Sequence, residues 1–118
     1  MITIYHNQRC SKSRSACSAF ETAGVAYATV RYLDTPLGRD ALTGIVARLQ
    51  GPVADLVRTG DKAFKELGLS AADYSDADAV IDLLLEHPQL MERPVIDDGT
   101  VAFIGRPTER VDEFLTNR

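Results

Sequence analysis

The chain has 118 residues, 45% of them hydrophobic and 25% charged, which is enough to bury one core and too little for two. Its formal net charge of -4 argues against general nucleic-acid binding, so any cationic site has to be local. No apolar run approaches a membrane span, and strand character begins near the first residue without a basic, apolar leader, so a single cytoplasmic domain is expected.

Met1 to Tyr5 reads as a first strand. It runs into His6-Asn7-Gln8-Arg9-Cys10-Ser11-Lys12-Ser13-Arg14, which is polar and basic, and then into a helical pattern over Ser11 to Ala23 with Gly24 at the C′ position. Cys10 therefore stands at a helix N-terminus, where free N–H groups and the positive end of the macrodipole favour a thiolate, and Arg9, Lys12 and Arg14 add charge nearby. The same N–H groups bind oxyanions, which makes Cys10 a candidate nucleophile in an anion site. A buried, inert thiol is the ordinary alternative, but the flanking residues are unlike those of a core cysteine. His6 is read either as a hydrogen-bonded turn residue or as a group that tunes Cys10.

The second cysteine, Cys17, falls on the stripe Ser13, Ala16, Cys17, Phe20, Ala23, which has core-facing spacing, and it is read as packing. Seven residues of helix set the two thiols roughly 10 Å apart, beyond the ~7 Å Cα limit of a disulfide. With His6 and His87 they form no zinc-like ligand set, so no metal is expected.

Val25 to Tyr32 is β-branched and aromatic enough for a second strand, completing a βαβ unit with a parallel pair. After Leu33 to Gly38, the residues Leu42, Ile45, Val46 and Leu49 mark a second helix stopped by Gly51-Pro52. Short helices follow over Val53 to Arg58 and Asp61 to Leu67. A longer one begins at Ser75-Asp76-Ala77-Asp78, read as a capping box, and ends at His87-Pro88. Strand character returns in Pro94 to Ile96 and Val101 to Ile104, joined by Asp97-Asp98-Gly99-Thr100 as an antiparallel hairpin. A last helix restarts at Gly105-Arg106-Pro107-Thr108 with proline in its first turn, and packs through Val111, Phe114 and Leu115. The order βαβ, helices, ββα resembles a thioredoxin-like α/β fold. It implies one mixed sheet in a single domain over 1–118, with a helical insertion at about 38–90.

With these segments placed, the chain resembles the glutaredoxin-coupled arsenate reductases nearly end to end. His6 to Arg14 fits a pattern with His and Arg four residues either side of the cysteine. Leu56-Val57-Arg58-Thr59, His87-Pro88, Glu92-Arg93-Pro94-Val95 and Ile104-Gly105-Arg106-Pro107 match later signatures in order. The resemblance implies that Cys10 is the nucleophile with His6 beside it, and that Arg58, Arg93 and Arg106 hold the oxyanion. It leaves Asn7, Ser13, Arg14 and Pro94 in support, with Arg93-Pro94 at the X-Pro step that such folds hold in cis. Guanidinium groups bind tetrahedral oxyanions through paired donors and stay charged, and three of them suit a dianion. The implied reaction is attack of Cys10 on arsenic(V), followed by reduction with glutathione and glutaredoxin as outside donors. No bound cofactor is expected, and the chain should act as a monomer.

Two other readings use the same residues. Ser13 replaces the second cysteine of a dithiol enzyme, which suits a monothiol glutaredoxin-like oxidoreductase, but that activity needs no arginines. Redox-linked regulators that bind RNA polymerase resemble this family too, and they use the Cys-x-x-Cys pair that Ser13 breaks. A tyrosine-phosphatase-like loop needs arginine where Ala16 stands.

Overall fold

A computed structural model describes all of Met1–Arg118. Strand β1, Ile2–Tyr5, alternates buried Ile2 and Ile4 with half-buried Thr3 and Tyr5, the period of a strand packed on both faces. Helix α1, Ser11–Ala23, ends at Gly24, whose φ of 69° is the left-handed conformation that closes a helix, and its N–H bonds the carbonyls of Phe20 and Glu21. Strand β2, Tyr27–Val30, pairs parallel with β1. It is shorter than the pattern suggests. Val25 is drawn into the helix end through its N–H to the Phe20 carbonyl, and a turn begins at Arg31, whose carbonyl accepts from Asp34 and Thr35.

From there to the third strand the chain is helical. It contains α2 (Arg39–Arg48), a 3₁₀ turn (Val53–Leu56), α3 (Lys62–Glu66), a second 3₁₀ turn (Ala71–Asp73), α4 (Ala77–Glu86) and a third (Pro88–Leu90). The cap of α4 is Asp76, one residue later than the capping-box reading. Its Oδ1 accepts the N–H of Ala79 at 2.9 Å, the N3 donor that a short carboxylate at the N-cap reaches. Arg39 donates to Asp82 and ties α2 to α4.

Strands β3 (Val95–Asp97) and β4 (Ala102–Ile104) form the expected antiparallel hairpin, and the sheet order is β2-β1-β3-β4. Asp97 belongs to the strand instead of the turn. The loop is organised by Asp98, whose Oδ1 accepts from Thr100 and Val101, with Gly99 at φ 93°. Helix α5, Glu109–Thr116, begins after Pro107, so the proline stands just outside the first turn; its carbonyl accepts from Arg110 at 3.0 Å. Both Arg93-Pro94 and Arg106-Pro107 are cis.

The pleat sorts side chains into two clusters. Ile2, Ile4, Ile96 and Phe103 face α1 and α5 through Ala16, Phe20 and Val111, while Val95, Ala102 and Ile104 face the insertion helices through Leu42, Ile45, Leu84 and Met91. The outer edge of β4 is covered by the end of α2, where Leu49 pairs with Ala102 and the Gln50 N–H bonds its carbonyl at 2.8 Å. Arg48 then clamps the buried Asp97 with Nε at 3.0 Å from Oδ1 and Nη2 at 2.6 Å from Oδ2.

Gly105 links this frame to the residues that follow it. A Cβ there would meet Ile96 Cδ1 at 2.8 Å and Pro94 Cγ and Val111 Cγ2 at 3.0 Å, so only glycine lets the chain leaving β4 pass so close to all three. Gly105→Ala is expected to cost about 1–3 kcal/mol through overpacking, read as a lower denaturant midpoint. An unchanged midpoint would mean that the contact is slack.

Candidate active site

The loop after β1 is built to fix Cys10. Asn7 accepts the Cys10 N–H on its carbonyl at 3.0 Å and the Arg9 N–H on its side chain at 3.0 Å, and it donates its own N–H to the fully buried Ser13 hydroxyl at 3.2 Å. Arg14 Nη1 holds the Gln8 carbonyl at 3.0 Å. These bonds give Asn7, Ser13 and Arg14 their supporting place: they shape the loop, and the loop aims the sulfur. Cys10 is the N-cap residue of α1, with φ −92° and ψ 121°. No conventional side-chain cap bond forms there; instead the sulfur faces the N–H groups of Ser13 and Lys12.

Guanidinium groups arrive from the other end of the chain. Arg106 Nη2 lies 3.2 Å from Cys10 Sγ, and its Nε donates to the Arg93 carbonyl at 2.7 Å. Arg93 also acts on the sulfur, while its Nε is buried without a hydrogen-bond partner. Cys10 is only 8% exposed, and that burial pushes its pKa up. The Ser13 N–H, Arg93, the Lys12 N–H and Arg106 together outweigh it and bring the thiol down to about 7.

Arg58 is placed differently. Backbone pairing of Val57 with Met91, through Arg58 N–H to the Leu90 carbonyl at 2.8 Å and Glu92 N–H to the Leu56 carbonyl at 2.7 Å, brings Arg58 beside Glu92. Its Nη1 donates to Glu92 Oε1 at 2.6 Å and its Nε to Asp61 Oδ2 at 3.3 Å, and it makes no hydrogen bond to Cys10. The same Glu92 oxygen lies 3.4 Å from Arg106 Nε and accepts the Arg93 N–H at 3.1 Å. The guanidiniums of Arg58 and Arg106 therefore meet on one carboxylate, which Arg93 contacts only through its backbone N–H, while Arg93 and Arg106 reach the sulfur.

Other expectations need correction. The side chains of Arg9, Lys12 and Arg14 are exposed and are not among the main groups that lower the Cys10 pKa, to which Lys12 contributes through its N–H. His6 makes no hydrogen bond to Cys10. Its Nδ1 lies 3.8 Å from Cys17 Sγ, and burial first, then Arg31 and Arg14, lower its pKa, so it is neutral at pH 7. Cys17 is half-buried against the Phe20 cluster, where burial raises its pKa, and both cysteines are free.

Two residues escape a reading of the sequence alone. Glu92 is visible there only as part of the Glu-Arg-Pro signature. Tyr32 looks like the end of a strand, yet it is buried with its hydroxyl toward the Met91 carbonyl at 3.4 Å and interacts with Arg93. Burial pushes its pKa up to about 12 against the pull of Arg93 and Arg58, which keeps the phenol protonated. No three His, Cys, Asp or Glu side chains converge on a metal position. No helix is long and apolar enough to cross a membrane.

Comparison with known proteins gives a consistent picture. The ArsC family profile matches residues 5–114. An arsenate reductase of Neisseria meningitidis serogroup A is 40% identical over 115 residues, covering 97% of each chain. An arsenate reductase of Escherichia coli K12 is 36% identical over 114 residues, covering 97% of this chain and 80% of the other. The solved arsenate reductase of Vibrio cholerae superposes with a TM-score of 0.82 at 35% identity over 95% of both chains.

The Cys10 thiolate should form through pH 7, so alkylation by iodoacetamide is expected to reach half its plateau rate at about pH 7. Arg106→Met removes a cation that favours the charged sulfur and should move that midpoint upward by about one pH unit. A wild-type midpoint in the ordinary thiol range would contradict the assigned geometry.

Proposed function

The chain belongs to the ArsC family, and from that premise we propose that it reduces arsenate to arsenite with Cys10 as nucleophile and glutathione and glutaredoxin as electron donors. One observation carries the reading: a guanidinium stands 3.2 Å from a cysteine whose pKa is already drawn down to about 7, so nucleophile and oxyanion donor share one place.

The Cys10 thiolate attacks arsenic(V) in the singly charged arsenate, forming an S–As bond as one oxygen leaves as water after taking a proton. The N–H groups of Ser13 and Lys12 with Arg93 and Arg106 hold the remaining oxygens, and the buried Arg93 Nε is a donor with no protein acceptor to compete for it. Glutathione then attacks the Cys10 sulfur. An S–S bond forms, the S–As bond breaks, and its electron pair stays on arsenic, which leaves as arsenite. Glutaredoxin resolves the Cys10–glutathione disulfide and regenerates the thiol, at the expense of a second reduced thiol.

Outside thiols are needed because Cys17 lies almost two helical turns along α1 from Cys10, with its sulfur turned to His6. A polar cleft of about 340 Å³ adjoins the same loop, lined by Asn7, Gln8, Arg9, Arg31 and Asp34. Its cations and amides suit a tripeptide with two carboxylates. The reading places the protein in the cytoplasm, where the thiol pool is reducing, acting as a monomer with no bound cofactor. Monothiol exchange would use Arg106 only to ionise the sulfur and would leave the buried, unpartnered Arg93 Nε without an acceptor.

The test supplies arsenate, glutathione and glutaredoxin and follows arsenite. Wild type should produce it, Cys10→Ser should not, and Arg93→Ala or Arg106→Ala should lose about a hundredfold or more in kcat/KM. Arsenite from Cys10→Ser at the wild-type rate, or none from wild type, would overturn the reading.

A further inference from the structure

Glu92 is the one acidic side chain that meets the guanidiniums of both Arg58 and Arg106, and it also accepts the backbone N–H of Arg93. Its Oε1 is 2.6 Å from Arg58 Nη1, 3.4 Å from Arg106 Nε and 3.1 Å from the Arg93 N–H, and the side chain is only 21% exposed. Asp61 takes a further donor of Arg58 at 3.3 Å. Glu92 and Asp61 therefore offset the guanidiniums of Arg58 and Arg106, the Arg93 guanidinium faces the sulfur, and with the Cys10 thiolate the cluster of three cations and three anions carries no net charge. A site meant to attract a dianion would leave its guanidinium charge unspent.

We propose that Glu92 is a specificity-determining residue, which takes up part of the charge of Arg58 and Arg106 so that the site favours a singly charged, protonated tetrahedral oxyanion over a dianion. The inference rests on the oxyanion reading above and revises the expectation that three arginines suit a dianion. It also has a chemical rationale. A thiolate approaches a monoanion against less repulsion, and the protonated oxygen is closer to leaving as water. Glu92 thus keeps a binding cluster from becoming a trap for the dianionic ions that share arsenate's shape.

Screening and bracing predict opposite results, which separates them experimentally. If Glu92 only braced the arginines, removing its charge would loosen anion binding. If it screens them, removal tightens binding of a dianion. At the dielectric of water, one charge about 6 Å from a dianion already changes affinity about tenfold.

The experiment is calorimetric titration with sulfate, which stays dianionic across the neutral range. Glu92→Gln should bind sulfate about tenfold more tightly than wild type, and the charge-preserving Glu92→Asp should keep the wild-type affinity. Unchanged or weaker binding by Glu92→Gln overturns the proposal. A second measurement needs no variant: the ratio of phosphate to sulfate affinity in wild type should fall as pH rises through the second ionisation of phosphate. A ratio that rises overturns the proposal equally. Either contrary result with wild type still forming arsenite removes this inference alone, whereas absence of arsenite removes the reading beneath it.

Discussion

The contact between Arg106 Nη2 and Cys10 Sγ joins residues 96 positions apart, and most of the fold can be understood as what makes it possible. Cys10 is set by a loop that ends a strand and starts a helix. Arg106 is set by the end of the hairpin, where Gly105 passes against Ile96, Pro94 and Val111 and bonds the Pro94 carbonyl at 2.8 Å. Since β1 pairs directly with β3, the two pieces are locked at a fixed separation by the sheet itself. The bond from Arg106 Nε to the Arg93 carbonyl then fixes the guanidinium plane.

Burial and charge oppose each other at this sulfur. Taking a thiol out of water raises its pKa, and an unassisted buried cysteine would be protonated and inert. Here two N–H groups of a helix start and two guanidiniums reverse the outcome, so the sulfur is both sheltered and ionised near pH 7. In the proposed reaction the same donors hold the oxygens of the anion. Glu92 and Asp61 offset part of that cationic cluster, and the buried, protonated phenol of Tyr32 interacts with Arg93.

Local patterns in the sequence were readable because they report local physics. The βαβ unit, Gly24 as a helix end and Asp98-Gly99 as a hairpin turn each depend on a few neighbouring residues. Cys10 was readable on the same grounds, as a thiol placed where a helix begins. Arg9, Lys12 and Arg14 misled because nearness along the chain says nothing of direction. The cations that act on the sulfur come from β3 and β4 ends, and only the family resemblance pointed to them. Glu92 was hidden for a related reason: its role arises from backbone pairing of Val57 with Met91, which no periodicity announces. Of the two readings open for His6, its hydrogen-bond geometry points away from Cys10, because Cys17, almost two helical turns further along α1, comes within 3.8 Å of its ring.

The most direct measurement is a crystal structure of the protein with arsenate or its inert analogue phosphate bound. The account predicts a tetrahedral anion seated against Cys10 Sγ, accepting from the Ser13 N–H and from the Arg93 and Arg106 guanidiniums. An anion bound elsewhere while these donors face water would contradict it.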